Sequence, residues 1–374
     1  AASFTFMRKI RLSNHAVILA LLAGGFMASQ LAKAAEELYF PASDESWESV
    51  APASVGWDSE KLNAALDIAG ARKSSGVVIL HGGRIMAERY WDSPDASRRY
   101  SNAMKGRDAQ GRAIEDVASA QKSVVAVIIG MAQERGFLQI DDPVSKYVGE
   151  GWSQASSNQE AAITIRHLLS MNSGLATDFS FSSAAETAWL YNTPVYHELM
   201  RVLIAATGMD RQSLTREWVT EPLGMKHSSW TDRPWASSDI AVGLSTTARE
   251  LARFGLMIRA GGRWAGEVLM EDSSFLDAML SPSQALNPSY GYLWWLNGQD
   301  FSLNAAARVQ RANGALVASA PSDMVAMQGA LDRKLYLVPS LNLVITRLGS
   351  NGGANGASFN DAFWEALMEA APQH

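Results

Sequence analysis

Ser119-Ala120-Gln121-Lys122 places a hydroxyl and an amine three residues apart. On a helix that spacing puts both side chains on one face, with the amine in hydrogen-bonding reach of the hydroxyl. The chemistry it suggests is nucleophilic attack by the serine oxygen, with the lysine taking its proton. An ordinary lysine is protonated at neutral pH, so the pair needs burial or a neighbouring cation to lower the amine's pKa. Downstream, Val124, Val125, Val127, Ile128, Met131 and Ala132 recur at helical spacing until Gly136, which places Ser119 at a helix start. Unpaired N–H groups and the positive end of the helix dipole there favour negative charge on an acyl oxygen. A Ser-x-x-Lys tetrad arises by chance about once in a chain of this length. These four residues alone therefore also fit a solvated helix start with an ordinary lysine.

Competing chemistries find less support. The chain has 0 Cys, which excludes thiol catalysis, thiolate zinc sites, iron–sulfur clusters and a disulfide framework. His15, His81, His167, His197, His227 and His374 fall in no ligand spacing such as His-Glu-x-x-His, so neither a metal nor an organic cofactor is expected. Gly243-Leu244-Ser245-Thr246-Thr247 approaches a nucleophile elbow, but threonine stands where the second glycine must let the turn close. Thr247-Ala248-Arg249-Glu250 reads better as a capping box opening a helix. His81-Gly82-Gly83 lies between two strand-like runs and reads as a turn.

Composition narrows the partners. The 374 residues carry 32 Lys plus Arg against 38 Asp plus Glu, a formal charge of −6 with no basic stripe, which disfavours nucleic acid and anionic membrane surfaces. At 47% hydrophobic and 19% charged residues the chain reads as a soluble globule of one large domain or two joined ones. After a leading AASFTF stretch, read as an upstream scar, Met7 opens a segment with Arg8, Lys9 and Arg11 and an apolar run from Ala16 to Met27. That run suits a secretory signal rather than a membrane span, and Leu31-Ala32-Lys33-Ala34 offers a cleavage site after Ala34. The expectation is export to a periplasm or the exterior, with no stable membrane anchor.

The elements that must position Ser119 follow from patterning. Residues 35–57 read as an irregular arm, and Asp58 caps a helix to about Ala71. Gly76 to Leu80 and Arg84 to Tyr90 form an antiparallel hairpin. Helical patterns then fill the middle, near Thr164 to Met171, Val195 to Thr207, Gln212 to Thr220 and Thr247 to Arg259. Strands return at Tyr290 to Leu296, Met324 to Gln328, Lys334 to Val338 and Leu343 to Leu348, before a closing helix from about Phe359 to Ala370. This order predicts an α/β (α+β) body, residues 58–118 with 282–374, whose antiparallel sheet is flanked by N- and C-terminal helices. An all-helical domain, residues 119–281, is inserted into it, with a cleft where the two meet.

Longer runs raise the assignment of Ser119. Leu138-Gln-Ile-Asp-Asp-Pro-Val144, Ile165-Arg-His-Leu-Leu-Ser-Met-Asn-Ser-Gly-Leu175, Trp189-Leu-Tyr-Asn-Thr-Pro194, Pro222-Leu-Gly-Met225, Gly243-Leu-Ser-Thr-Thr-Ala248 and Tyr290-Gly-Tyr-Leu-Trp-Trp295 follow the tetrad in order. With them the chain, from roughly Phe40 to Leu367, resembles the serine β-lactamase and penicillin-binding-protein superfamily. The similarity is to its class C-like branch, which includes family VIII carboxylesterases and 6-aminohexanoate-dimer hydrolases. The resemblance implies a β-lactamase/transpeptidase-like fold in which Ser119 attacks an ester or amide carbonyl and Lys122 and Tyr191 together manage the proton. Tyr191 matches the tyrosine of the family's Tyr-x-Asn motif; a phenolate there would need the Lys122 ammonium beside it.

Two departures qualify the resemblance. Asn192 is displaced by one position, so Thr193 stands where the family has its carboxamide donor. The cationic third motif is absent, and the matching strand is Met327-Gln328-Gly329-Ala330, with no cation for the carboxylate of a β-lactam or a D-alanine. Gly329 can permit close approach, with the Ala330 N–H as second oxyanion donor beside that of Ser119; it also fits a plain central-strand glycine. Trp294 and Trp295 alternate faces of a strand, one covered and one toward the cleft or both in the core, while Trp152 and Trp189 flank cleft loops. The expected activity is ester hydrolysis, with amides open, through a Ser119 acyl-enzyme. The alternatives are a β-lactamase or D,D-peptidase of the same fold and a non-catalytic cell-wall scaffold.

Overall fold

The computed structural model describes residues 38–92, 94–236 and 240–373. The expected leader and its cleavage point lie outside the described residues. The body runs from Tyr39 onward. Asp58 accepts from the Lys61 N–H (3.0 Å) and opens helix α1, Ser59–Ala71. Strands β1 (Ser74–His81) and β2 (Arg84–Tyr90) form an antiparallel hairpin. At its turn Gly82 and Gly83 both take positive φ (58° and 86°), the backbone that a tight hairpin of this twist demands and that glycine adopts freely. The arm lies along this hairpin, with Tyr39 N donating to Gly82 O (2.9 Å), Trp47 Nε1 to Gly83 O (2.8 Å) and Val50 N to Ile85 O (2.9 Å).

Helix α2 (Arg98–Ala103) and strands β3 (Met104–Arg107) and β4 (Ala113–Asp116) lead into a 3-10 turn at Ala118–Ala120 and helix α3, Gln121–Glu134. The helices Ile165–Ser170, Glu198–Thr207 and Arg211–Thr215 follow, the first capped by Thr164 and the last by Asp210. The stretch 119–281 is not all-helical as expected: it also carries strands β5 (Ser229–Asp232) and β6 (Val242–Thr246), which pair across the expected boundary with β3 and β4 in a sheet ordered β3-β4-β6-β5. These strands are short and rich in Ser and Thr, without the apolar alternation that marks a strand in sequence. Thr247 caps helix α4, Ala248–Arg259, accepting from the Glu250 N–H (3.1 Å). The Glu250 carboxylate does not close the expected capping box; it accepts from the His227 N–H (2.8 Å) and the Ser228 hydroxyl (2.7 Å).

The main sheet is antiparallel throughout and ordered β2-β1-β10-β9-β8-β7, with β7 at Trp295–Leu296, β8 at Val325–Gly329, β9 at Arg333–Val338 and β10 at Leu343–Gly349. Distant ends of the chain thus share one sheet, as the element order predicts. Alternation along β9 and β10 divides their side chains between two layers. Leu335, Val344 and Thr346 face α4, with Thr346 Oγ1 bonded to Ala248 O (2.7 Å). Tyr336 and Arg347 face helix α5 (Phe359–Ala370), where Tyr336 meets Trp364 edge-on and Arg347 lies over Phe359 (4.5 Å). Helix α1 packs against α5 on that side. Only Trp295–Leu296 of the expected Tyr290 to Leu296 strand pairs in the sheet. Leu293 is left-handed (φ 60°) and Gly291 is wedged against the Met279 carbonyl, so the chain turns through this stretch.

Candidate active site

Ser119 sits in the turn between β4 and α3, and the turn is built by Asp116. Asp116 Oδ1 accepts from the Ala118 N–H (2.8 Å), and Ala118 takes a left-handed φ of 50° that a residue with a Cβ adopts only under constraint. The same carboxylate is gripped at two points by Arg233, Nε to Oδ2 at 2.6 Å and Nη2 to Oδ1 at 2.9 Å. Gln121 ties the helix start to β6, accepting from the Leu244 N–H (3.0 Å). Lys122, one turn on, brings Nζ to 2.8 Å from Ser119 Oγ. Its side chain is buried, at 2% exposure, and burial together with the nearby Arg233 charge lowers its pKa to about 7.

Tyr191 arrives from a separate stretch. Leu190 N donates to Met171 O (3.0 Å), and Asn192 caps the short helix Thr193–Tyr196 while its Nδ2 donates to Leu175 O (3.0 Å). These bonds hold Tyr191 so that its hydroxyl hydrogen-bonds Ser119, its ring stacks on Trp295 (5.9 Å between centroids), and Lys122 Nζ lies 4.7 Å from the ring centre. Burial pushes the phenol up to about 12. Desolvation thus drives Lys122 and Tyr191 toward a neutral amine and a neutral phenol, rather than the ammonium and phenolate weighed from sequence. Asn192 is spent on capping, whereas Thr193 lines the cleft.

The strand opposite is β8. A Cβ built on Gly329 would overlap the Val117 carbonyl oxygen and crowd the amide nitrogens of Ser119 and Ala120. Glycine is required there by close approach, because its backbone is ordinary extended chain (φ −135°, ψ 162°). Ala330 follows on the cleft wall beside Ser119. Left-handed Leu331 and Asp332 then turn the chain into β9, and the buried Arg347 holds both of their carbonyls (2.8 and 3.1 Å). The sequence-predicted Ser119, Lys122, Tyr191, Thr193, Gly329 and Ala330 are therefore brought together. Lys334 on β9 is buried, its Nζ bonded to Gln328 Oε1 at 2.8 Å and close to Asp332.

Ser119, Thr193 and Ala330 border two lobes of one cleft, of about 470 and about 680 Å³. The larger is lined by Tyr191, Trp295, Leu303 and Leu316; Trp295 thus faces the cleft while Trp294 is fully buried against Phe254. Trp189 lines neither lobe and packs edge-on against Tyr290 and Trp295. Sequence reasoning missed Asp116, Arg233 and His197. Asp116, three residues before the nucleophile, carries a turn-capping signal; Arg233 carries none, since its partner Asp116 is remote in the chain, and His197 enters only as part of the cleft lining. A neutral amine close to a hydroxyl, flanked by a protonated phenol and two candidate N–H donors, can take a proton, return it and shelter a developing oxyanion.

Comparison with known proteins agrees on the framework. The Beta-lactamase family model matches residues 60–362. An uncharacterized protein of Alkalihalophilus pseudofirmus is 24% identical over 347 residues, covering 84% of this chain and 95% of that protein. A provisionally assigned beta-lactamase of Bacteroides dorei superposes with a TM-score of 0.63 at 17% identity, covering 85% of this chain and all of the other. A provisionally assigned 6-aminohexanoate-dimer hydrolase of Bacillus anthracis gives 0.62 at 16% identity, covering 90% and 91%. With the match spanning both sheet and helices around Ser119, the chain belongs to the Beta-lactamase family.

Proposed function

We propose that this protein is an exported serine hydrolase that cleaves carboxylic esters, and amides of similar size, through an acyl-enzyme on Ser119. The observation that carries the reading is the 2.8 Å contact between Ser119 Oγ and a Lys122 amine whose pKa is lowered to about 7. The neutral amine takes the hydroxyl proton as Oγ attacks the carbonyl carbon, and the oxyanion forms against the Ser119 and Ala330 amides. The proton then passes to the leaving oxygen or nitrogen, directly or through the Tyr191 hydroxyl, as the bond breaks. Water repeats the sequence on the acyl-enzyme and restores Ser119.

Esters are favoured over β-lactams because β8 presents Gln328, Gly329 and Ala330 to the cleft, and the lysine of the adjoining strand, Lys334, is already bonded to Gln328. The test is intact-mass spectrometry after a fluorophosphonate, with turnover of p-nitrophenyl butyrate and nitrocefin alongside. The expected result is one adduct on Ser119, lost in Ser119→Ala, with ester turnover well above nitrocefin turnover. Absence of both adduct and turnover would favour a non-catalytic scaffold, and rapid covalent capture of penicillin would favour a β-lactamase or peptidase. For export, the expected N-terminus of secreted protein is Ala35; a different start overturns the cleavage site.

A further inference from the structure

The ammonium that forms on Lys122 when Ser119 gives up its proton has no counter-ion. Among the described residues the amine makes no ion pair; its hydrogen-bond partner is the Ser119 hydroxyl, and the charge acting on it is the cation Arg233, itself held by Asp116. A buried charge in such a place is costly unless something stands in for water around it. Two aromatic rings take that place. Nζ lies 4.7 Å from the ring centre of Tyr191 and 4.9 Å from that of Tyr196, both within reach of a cation–π contact. Tyr196 lines neither lobe of the cleft, so substrate is not what its ring serves. Its N–H donates to Asn192 O (3.0 Å) in the short helix Thr193–Tyr196, its hydroxyl meets the Gln121 side chain, and the residue is buried. Burial raises the phenol's pKa and keeps it neutral.

We propose that Tyr196 is a positioning residue of the hydrolase: its ring and that of Tyr191 form an aromatic clamp on Lys122 Nζ, holding the transient ammonium where other sites would use a carboxylate. The proposal rests on the serine hydrolase reading above. As Oγ bonds to the carbonyl carbon, its proton moves to Nζ and the C=O electron pair moves onto the oxyanion; the clamp lowers the energy of the charged amine at that stage. In the resting enzyme it opposes desolvation, leaving Lys122 a stronger base than burial alone would allow. The other charged or titratable groups around the amine offer no alternative. His197 is held neutral by burial, at about 3, while Arg98, Arg99 and Arg333 along the smaller lobe are cations. Tyr290 and Arg211 act on the clamp tyrosines rather than on the amine.

The test is the pH dependence of kcat/KM on p-nitrophenyl butyrate in the wild type, Tyr196→Phe, Tyr196→Leu and Tyr196→3,4,5-trifluorophenylalanine. The fluorinated ring keeps the shape of Phe but cancels most of the negative charge on its face. In Tyr196→Phe the midpoint should stay where the wild type has it. In the other two it should fall by about half a pH unit or more, because the ammonium loses a ring face. Their plateau kcat should drop about three- to tenfold with KM nearly unchanged, since a weaker base takes the proton. The sign separates the clamp from packing, because a cavity that admits water would raise the midpoint. The fluorinated variant decides wherever Tyr196→Leu disagrees with it or does not fold. If its midpoint stays fixed or rises, or if Tyr196→Phe falls as far, the clamp is wrong and the hydrolase stands. If the wild type hydrolyses no ester and the fluorophosphonate leaves Ser119 unmodified, the hydrolase reading falls and the clamp with it.

Discussion

Burial of Lys122 beside Arg233 lowers its pKa to about 7, so near neutrality a substantial share of the amine is free to accept the Ser119 proton. Two consequences can be measured. Lys122→Ala should lower kcat on p-nitrophenyl butyrate by about a thousandfold with circular dichroism unchanged. An unaltered rate would remove the lysine from the mechanism. In the wild type kcat/KM should climb with pH and level off above about 7, because only the neutral amine accepts a proton; a flat profile across neutrality contradicts this.

The same burial opposes folding, and the sign follows from linkage. The folded-state pKa of about 7 lies below the ordinary value of 10.5, so the unfolded chain holds more protons between them. Wild-type stability should therefore rise with pH across that window, with the full penalty present below it. Lys122→Met removes the penalty: it should be inactive yet melt above the wild type, with the gap widest at and below pH 7 and closing toward 10.5. Thermal melts of both proteins across that range check it. A gap that widens with pH would mean that the amine stabilises the fold rather than straining it.

At the scale of elements, the site depends on how closely β8 approaches the 3-10 turn. Gly329 sets that distance, since a Cβ would strike the Val117 carbonyl and displace either the Ala330 amide or the nucleophile turn. Gly329→Ala should cost about 1–3 kcal/mol of stability by overpacking and lower kcat about a hundredfold or more. Chemical denaturation and steady-state kinetics separate the two effects, and a variant with wild-type kcat would move the second oxyanion donor away from this strand. The following turn shows why a central-strand reading of Gly329 was equally open from sequence. Ala330, Leu331 and Asp332 carry no local turn signature such as Asn-Gly; their geometry is imposed by Arg347, which lies on β10 and grips two of their carbonyls.

Across the whole molecule, one sheet joins the hairpin near the start of the body to the last three strands, and α1 and α5 seal one of its faces. Phe359, Phe363, Trp364 and Leu367 of α5 are essentially without exposure, and Trp364 stands edge-on to Tyr336 (5.3 Å). Trp364→Ala should destabilise the protein by about 3–5 kcal/mol. Since α5 lies on the face away from α4, the pH midpoint of the surviving folded enzyme should stay where the wild type has it. Denaturation curves and a pH–rate profile of the same preparation test both halves; a shifted midpoint would tie the closing helix to the Lys122 environment.

Much of this was written in short-range order. Asp58, Thr164 and Thr247 cap their helices, Gly82 and Gly83 form the hairpin turn, and the spacing of Ser119 and Lys122 puts amine against hydroxyl, because each effect acts over about four residues of backbone. Strands β5 and β6 escaped notice because their polar faces lack periodic contrast. Tertiary structure alone decided the rest. It set the burial that lowers the Lys122 pKa, the grip of Arg233 on Asp116 across 117 positions, the contact of Gly329 with the nucleophile turn, and the gathering of Arg98, Arg99 and His197 at one lobe. Desolvation and ion pairing depend on neighbours in space, and the residues that become neighbours here are far apart along the chain.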